Sequence, residues 1–330
     1  MYLEPKYKTV VHFVEDQIRH SQLVPGDRIP SVNAFRIRFG LSRSSVFLAM
    51  KELLSRGIIE AVPAVGYFVR STKIDVREKI LLLFNEFNAF KEDLYLSFLE
   101  AIGSEATVDI MYHHYDRSVF ETLLREAEGR YTSYVLMPGK FRGLSPVLDR
   151  LPGKVFLLDH FQDDIRGRYP GVGQDFEQDT YDALFKWSGT IKGYDSLVLI
   201  QKDEIEPEER YTGIWRFCNE FGLGHLLLPT IASDHLHKNT LYLTPHDREL
   251  VSIIKKANAG NLEIGSDIGV LSFNDTPLKE VLCGGISTLT TDFHQMGRTM
   301  AGLVLNTASP ESGASTFIRN PWMLIQRKSL

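Results

Sequence analysis

Apolar positions along this 330-residue chain follow two different rhythms. Near the amino terminus the rhythm is first helical. Val32, Phe35 and Phe39 share one helical face, and Val46, Ala49, Met50, Leu53 and Leu54 share another. Polar punctuation frames both runs. Pro25-Gly26-Asp27 is a turn signal, with proline presetting φ and glycine free to take positive φ. Ser31 and Ser42 stand where N-caps belong, and Gly40 and Gly57 stand where left-handed C-terminal residues belong. Residues 58–60 and 67–69 then read as strands flanking Val62-Pro63-Ala64-Val65-Gly66. Two short helices joined by a tight turn, followed by a hairpin, predict a winged helix-turn-helix.

The rhythm changes after residues 71–78, a polar linker. Short apolar runs at 80–84, 108–112, 134–137, 155–159, 197–200, 225–228, 241–243 and 270–273 read as strands. Amphipathic stretches at 94–102, 119–127, 179–187, 211–221 and 249–257 lie between most of them. This alternation predicts parallel sheets covered on both faces. About 250 residues is long for one such sheet and suits two lobes. Ligands of open α/β sheets sit at the carboxyl ends of strands, so two facing lobes place those ends around one cleft.

Charge separates along the same division. Residues 1–72 hold ten Lys/Arg against six Asp/Glu, and the remainder 27 against 36. A chain of net −5 repels nucleic acid unless its positive charge is segregated, as it is here. A surplus of four per amino-terminal domain argues for binding as a dimer, because phosphate contacts supply much of the affinity. Arg43, Ser44 and Ser45 fall in the first turn of the second helix, the end that enters a major groove. Arginine reads guanine edges in a fixed fork, and serine bonds phosphate or base.

Residues 5–70 resemble the DNA-binding domain of GntR-type bacterial regulators. The matching motifs are Pro25-Gly26-Asp27-Arg28-Ile29-Pro30-Ser31, Leu41-Ser42-Arg43-Ser44-Ser45-Val46, and Gly57-Ile58-Ile59 leading to Gly66-Tyr67-Phe68-Val69. The resemblance implies DNA contacts from Ser31, Asn33, Arg36, Ser42, Arg43, Ser44, Ser45, Gly66 and Tyr67. Asn33 stands where that family usually has arginine, Phe47 and Leu48 where it has basic residues, and Ala64 where it has the first wing glycine.

Residues 268–304 resemble the C-terminal part of LacI-type repressors and the related periplasmic sugar-binding proteins. The match includes Phe273-Asn274-Asp275-Thr276 after a strand, Ile286-Ser287-Thr288, and Asp292-Phe293 with Gly297 before a helix. Arg210-Tyr211-Thr212-Gly213, Thr244-Pro245-His246-Asp247 and the stretch from Phe84 to Phe90 extend it more weakly. The implied fold class is α/β: a winged helix-turn-helix (α+β) over 1–72, a linker over 73–78, and a two-lobed periplasmic-binding-protein-like domain with parallel sheets over 79–330. A GntR-type reader joined to a LacI-type sensor is the arrangement of arabinose-repressor-like regulators. It implies a cytoplasmic, dimeric, sugar-responsive repressor of double-stranded operator DNA.

The implied effector is a monosaccharide, a pentose such as L-arabinose or a deoxyhexose such as L-fucose. Carboxylates accept from vicinal hydroxyls, a guanidinium donates to several oxygens, and aromatic rings cover the apolar face of a pyranose. Arg210 is then the cationic clamp, Asn274 and Asp275 are hydroxyl partners, and His246 and Asp247 line the cleft. Phe90 is the stacking lid, with Asp159, Gln174 and Asp175 as weaker candidates from the first lobe.

Other chemistry finds little support. Cys218 and Cys283 form no disulfide framework and suit a reducing cytoplasm. Lys6, Lys8, Glu15 and Asp16 interrupt any leader-like apolar run, and no stretch approaches the roughly 18 apolar residues of a membrane helix. His113-His114 and His235-x-His237 lack the carboxylate or cysteine neighbours of a metal site. No P-loop, dinucleotide fingerprint or G-x-S-x-G elbow occurs, and no carboxylate pair is placed for acid–base work. No cofactor, metal or catalytic residue is therefore expected. GntR-type domains also occur fused to a pyridoxal-phosphate aminotransferase fold, which needs more chain than remains here. The competing reading is a cytoplasmic sugar-binding protein, or a sugar-converting enzyme, with an amino-terminal interaction domain.

Overall fold

The computed structural model describes residues 6–72, 74, 78–202, 205–231, 236–305 and 317–330. Most of the expected linker, Lys73 and residues 75–77, lies outside the described residues, as does His235. The amino-terminal unit consists of α1 (Lys8–Arg19), α2 (Val32–Phe39), α3 (Arg43–Ser55) and the antiparallel hairpin β1 (Ile59–Val62) with β2 (Gly66–Val69). The expected punctuation is where the physics requires it. The Ser31 hydroxyl accepts from the Ala34 N–H and the Ser42 hydroxyl from the Ser45 N–H. Gly40 turns left-handed at φ 65°. Val10, Val14, Phe35, Val46, Met50, Leu53 and Ile58 form the buried core under these elements. Helix α1 contributes a full side of it, an element the sequence pattern leaves unassigned.

The rest of the chain continues through β3 (Glu78–Phe84), α4 (Ala89–Ile102), β4 (Ala106–Tyr112), α5 (Arg117–Ala127), β5 (Ser133–Leu136), α6 (Ser145–Leu148), β6 (Lys154–Asp159) and β7 (Gly171–Gly173). It then runs through α7 (Phe176–Lys186), α8 (Ser188–Ile191), β8 (Ser196–Ile200), α9 (Glu209–Phe221), β9 (Gly224–Leu228), β10 (Thr240–Thr244), α10 (Asp247–Ala259), β11 (Gly269–Phe273), α11 (Pro277–Val281) and β12 (Ser287–Thr291). The last elements are α12 (Phe293–Val304), β13 (Phe317–Arg319) and β14 (Trp322–Ile325).

Two six-stranded sheets result, one per lobe. The first has the order β13-β7-β6-β5-β3-β4 and is wholly parallel; the second has the order β14-β12-β11-β10-β8-β9. Each sheet carries a buried apolar layer on both faces, as parallel sheets require. Parallel pairing fails at one edge: β14 runs antiparallel to β12.

Four strands escape the sequence pattern. β7 is Gly-Val-Gly, where a Cβ on Gly173 would meet the Asp159 carbonyl oxygen at 2.4 Å. β12 reads Ser-Thr-Leu-Thr-Thr, polar in composition yet buried throughout. β13 and β14 also lack the pattern of a buried strand. Gly297 does not precede a helix but lies inside α12, because a Cβ there would meet Ser97 Oγ at 2.1 Å and the Leu94 carbonyl at 2.4 Å. The glycine lets α12 press against α4, closing the first lobe with a segment that follows the second lobe in sequence.

Candidate functional site

On the amino-terminal unit, Ser31, Asn33, Arg36, Ser42, Arg43 and Ser44 are exposed, and Ser45, Gly66 and Tyr67 are half-exposed. They do not all have free donors. Ser42 Oγ caps α3 and also meets the hydroxyls of Ser44 at 2.9 Å and Ser45 at 2.8 Å. Arg36 donates to Asn33 Oδ1 at 3.1 Å. Arg43 rests 5.5 Å from the Phe47 ring centroid, leaving its guanidinium at the exposed start of α3. In the wing, Arg28 donates to the Val65 carbonyl at 2.5 Å and packs beneath Gly66. Ala64 adopts φ 61°, a left-handed conformation that costs a residue with a Cβ roughly 1 kcal/mol.

The second site lies between the lobes. Sheet geometry puts one polar residue at the carboxyl end of a strand in each lobe, both left-handed: Asp159, the last residue of β6, at φ 66° and Asn274, just after β11, at φ 59°. Such conformations in non-glycine residues concentrate at functional sites. Asp159 Oδ1 accepts from Gln174 Nε2 at 2.6 Å. Between these two strand ends the crevice is walled by Phe90, Phe176, Phe293, Lys91, Tyr115, Glu206 and Arg210. The Phe90 and Phe293 rings lie 4.9 Å apart.

Arg210, in the first turn of α9, is 5% exposed. Its guanidinium lies 4.9 Å from the Phe176 ring and 4.8 Å from the Phe273 ring, and it pairs with Glu206. Burial alone would raise the Glu206 carboxyl; Arg210 and His246 overcome it and hold the group below the usual carboxylate range. Opposite, Lys91 is buried in the first turn of α4, bonded to Asn85 Oδ1 and 3.7 Å from Glu86 Oε1. Burial pulls its ammonium pKa down, against the carboxylates of Asp159 and Glu86. Tyr115 donates to the same Glu86 oxygen at 3.0 Å, and burial with that carboxylate pushes its phenol up. Matched charge in a half-dry crevice, flanked by aromatic rings, suits a small polyhydroxylated ligand.

The crevice brings together Phe90, Asp159, Gln174, Arg210 and Asn274. It leaves out four of the residues singled out from the sequence. Asp275 is held by Arg327 through two bonds of 2.7 and 2.8 Å and accepts from Thr288, so its carboxylate is turned to β12 and to the segment that follows β14. Asp247 begins α10, is mostly exposed, and faces Lys279 at 3.3 Å. Asp175 caps α7, accepting from the Gln178 N–H. His246 stands behind Glu206, 3.8 Å away, and does not line the crevice. Lys91, Tyr115, Glu86 and Glu206 are lining residues that sequence reasoning missed.

His113 is a core histidine whose Nε2 lies 2.9 Å from the Met137 carbonyl, and burial lowers its pKa. Among the described residues no group of three or more His, Cys, Asp or Glu is placed to hold a metal. No described helix is long and apolar enough to cross a membrane.

Comparison with known proteins bears on the two parts of the chain separately. Residues 6–69 match the model of the bacterial regulatory proteins of the gntR family, and residues 199–330 match a periplasmic binding protein-like domain. The mannosyl-D-glycerate transport/metabolism system repressor MngR of Escherichia coli (strain K12) is 29% identical over 72 residues, 22% of this chain and 30% of that protein. The chain spans less than a third of the length of the curated relatives it first matches. Among solved structures, the lac repressor dimer bound to operator and an anti-inducer aligns with a TM-score of 0.62 at 13% identity, covering 76% of this chain and 93% of that one. A LacI family transcriptional regulator from Enterococcus faecium with bound ribose aligns with a TM-score of 0.60 at 15% identity, over 76% and 98% of the two chains. The chain thus joins a gntR-type helix-turn-helix domain to a periplasmic-binding-protein-like α/β domain.

Proposed function

We propose that this protein is a sugar-responsive transcriptional regulator, a repressor that binds double-stranded operator DNA as a homodimer and is modulated by a monosaccharide. The observation that carries the reading is the interlobar crevice behind a gntR-type domain: Arg210, Asn274, Asp159 and Gln174 converge there from both lobes, between Phe90 and Phe293. The lac repressor dimer on its operator and the ribose-bound regulator have the same fold as the rear domain, which supports both partners. The effector is an uncharged pentose or deoxyhexose, L-arabinose or L-fucose being the first to try, because Arg210 and Lys91 already have carboxylate partners and leave no unmatched cation for an acidic sugar.

The DNA contacts are Arg43 and Ser44 at the start of α3, Asn33 and Arg36 on α2, and the backbone around Gly66 and Tyr67 in the wing. Ser31, Ser42 and Ser45 support those helix starts. The protein is a binding protein and not an enzyme in this reading, and it works in the cytoplasm, where its operator is. Sugar favours one interlobar angle, and the dimer carries that angle to the two winged domains. A coupling of about 1–3 kcal/mol shifts operator affinity several-fold to about a hundredfold. Reciprocity follows: operator must weaken sugar binding by the same factor.

The test is an electrophoretic shift on the DNA upstream of its own gene, with a thermal-shift screen of free monosaccharides alongside. One sugar should both raise the melting temperature and release the DNA. Sugar turnover without DNA affinity would instead support the enzyme reading.

A further inference from the structure

Among the described residues, three chain crossings join the two lobes. The first runs from β7 to α7 through Gln174 and Asp175, the second from β12 to α12 through Asp292, and the third from β13 to β14 through Asn320 and Pro321. Each is one or two residues long. Each crossing has its own soft torsions, and left alone the three would give the lobes several independent ways to move.

Asn320, on the third crossing, reaches the strand before the first through its backbone and the second through its side chain. Its backbone N–H donates at 2.8 Å to the carbonyl of Gly173, the last residue of β7 before the first crossing, a bond that continues the pairing of β13 with β7 and does not need the side chain. Its amide nitrogen donates to Thr291 Oγ1 and to the Asp292 carbonyl, each at 2.8 Å, on the second. An amide has two N–H donors, and both are used. The next residue closes the set: the Pro321 carbonyl accepts from the Asp292 N–H at 3.1 Å and from the Thr291 hydroxyl at 3.0 Å. Asn320 is 1% exposed, so no water substitutes for a broken bond. Aspartate would present acceptors to acceptors, and a hydrocarbon would take this donor from the Asp292 carbonyl and leave the Thr291 hydroxyl with only its bond to Pro321.

We propose that Asn320 is a positioning residue: its side chain fastens the second and third crossings to each other, beside a backbone bond to the strand that leads into the first, so that the lobes turn about a single axis and the sugar-bound angle is transmitted whole to the winged domains. This rests on the regulator reading above for its consequence at DNA, while its mechanical part stands on the hinge geometry. The residue touches no ligand. It acts through the direction of lobe motion.

The test uses the full chain with Cys283→Ser and spin labels at Glu126→Cys on α5 and Lys255→Cys on α10, both exposed positions, one on each lobe. Pulsed electron resonance then gives the interlobar distance distribution. Asn320→Ala should at least double its width, with Thr291→Val intermediate, and should cut the sugar-dependent change in operator affinity at least fivefold. Sugar-free operator affinity should stay within about twofold. A merely structural asparagine would lower the melting temperature without widening the distribution. Wild-type width and coupling in Asn320→Ala, or in Thr291→Val should the alanine variant not fold, would overturn the proposal. If the unmodified protein shows no sugar effect on DNA at all, the regulator reading fails, and the distance widths still decide the role of Asn320.

Discussion

Lys279 Nζ lies 2.7 Å from the Asn274 carbonyl oxygen and 2.8 Å from that of Phe273. The lysine is 2% exposed, and burial lowers its pKa against the opposing pull of Asp247. It satisfies two carbonyls at the carboxyl end of β11, where the backbone bends left-handed at Asn274. The bend is what turns residue 274, and not residue 275, toward the crevice. Lys279→Met removes the donor and keeps the length. It should destabilise the protein by about 2–6 kcal/mol, since two buried carbonyls are left unmatched at about 1–3 kcal/mol each. Chemical denaturation measures the loss, and calorimetric titration should show sugar affinity falling with it.

Arg210 is sandwiched between the rings of Phe176 and Phe273 while it pairs with Glu206. A planar guanidinium stacks and bonds in its plane together; an ammonium does not. Arg210→Lys keeps the charge and loses both. Sugar affinity should drop by about 2 kcal/mol, roughly thirtyfold, with operator affinity in the absence of sugar unchanged. Parallel loss of both affinities would make Arg210 a structural residue of α9.

What the sequence shows and hides follows from the range of the interactions. Caps at Ser31 and Ser42 and the turn at Gly40 are decided within four residues, and they are legible. So are strands whose β-branched and aliphatic runs are buried on both faces. β12 is not, because Thr and Ser are read as surface until β11 and β14 cover them. Arg210 and Asn274 come from motif resemblance and end in the crevice. Asp275 comes from the same motif and does not, because its partner Arg327 lies 52 positions later in the chain. Lys91 looks like any solvent-facing lysine on an amphipathic helix. Its burial depends on Asn85 and Glu86 curling back over α4 and on the second lobe closing from above.

Asp179 on α7 pairs with Arg319 across the hinge, Nε to Oδ1 at 2.8 Å. Burial raises the Asp179 carboxyl to about 6, more than Arg319 and the Asp175 N–H pull it down. On the half-exposed Arg319 the attraction prevails over burial, and its pKa rises. A carboxyl with a higher pKa folded than unfolded takes up a proton on folding. Its contribution therefore favours the native state below the unfolded value, near 3.8, and is lost as pH rises through about 6. Asp179→Asn abolishes this titration. The melting temperature of the unmodified protein relative to the variant should be higher at about pH 5 than at about pH 7.5, corresponding to about 1–3 kcal/mol. A pH-independent difference would show that Asp179 ionises normally in the fold.

Arg43 is the residue of α3 from which base reading is expected. It sits in the first turn of the helix, after the Ser42 cap, with its guanidinium free to extend past Phe47. Phe47 and Leu48 are exposed on the same helix and carry no charge, so α3 supplies few phosphate contacts of its own. A base-reading arginine and a phosphate-binding one leave different signatures. Removing a base contact costs about 1–3 kcal/mol per half-site and relaxes the sequence preference, while the salt dependence stays the same. Removing a phosphate contact weakens binding to all DNA alike and lowers the salt slope by about one per half-site. Arg43→Ala should behave in the first way. Binding curves on operator and on unrelated DNA, each at several salt concentrations, separate the two, and a uniform loss with a shallower slope would move Arg43 to the backbone.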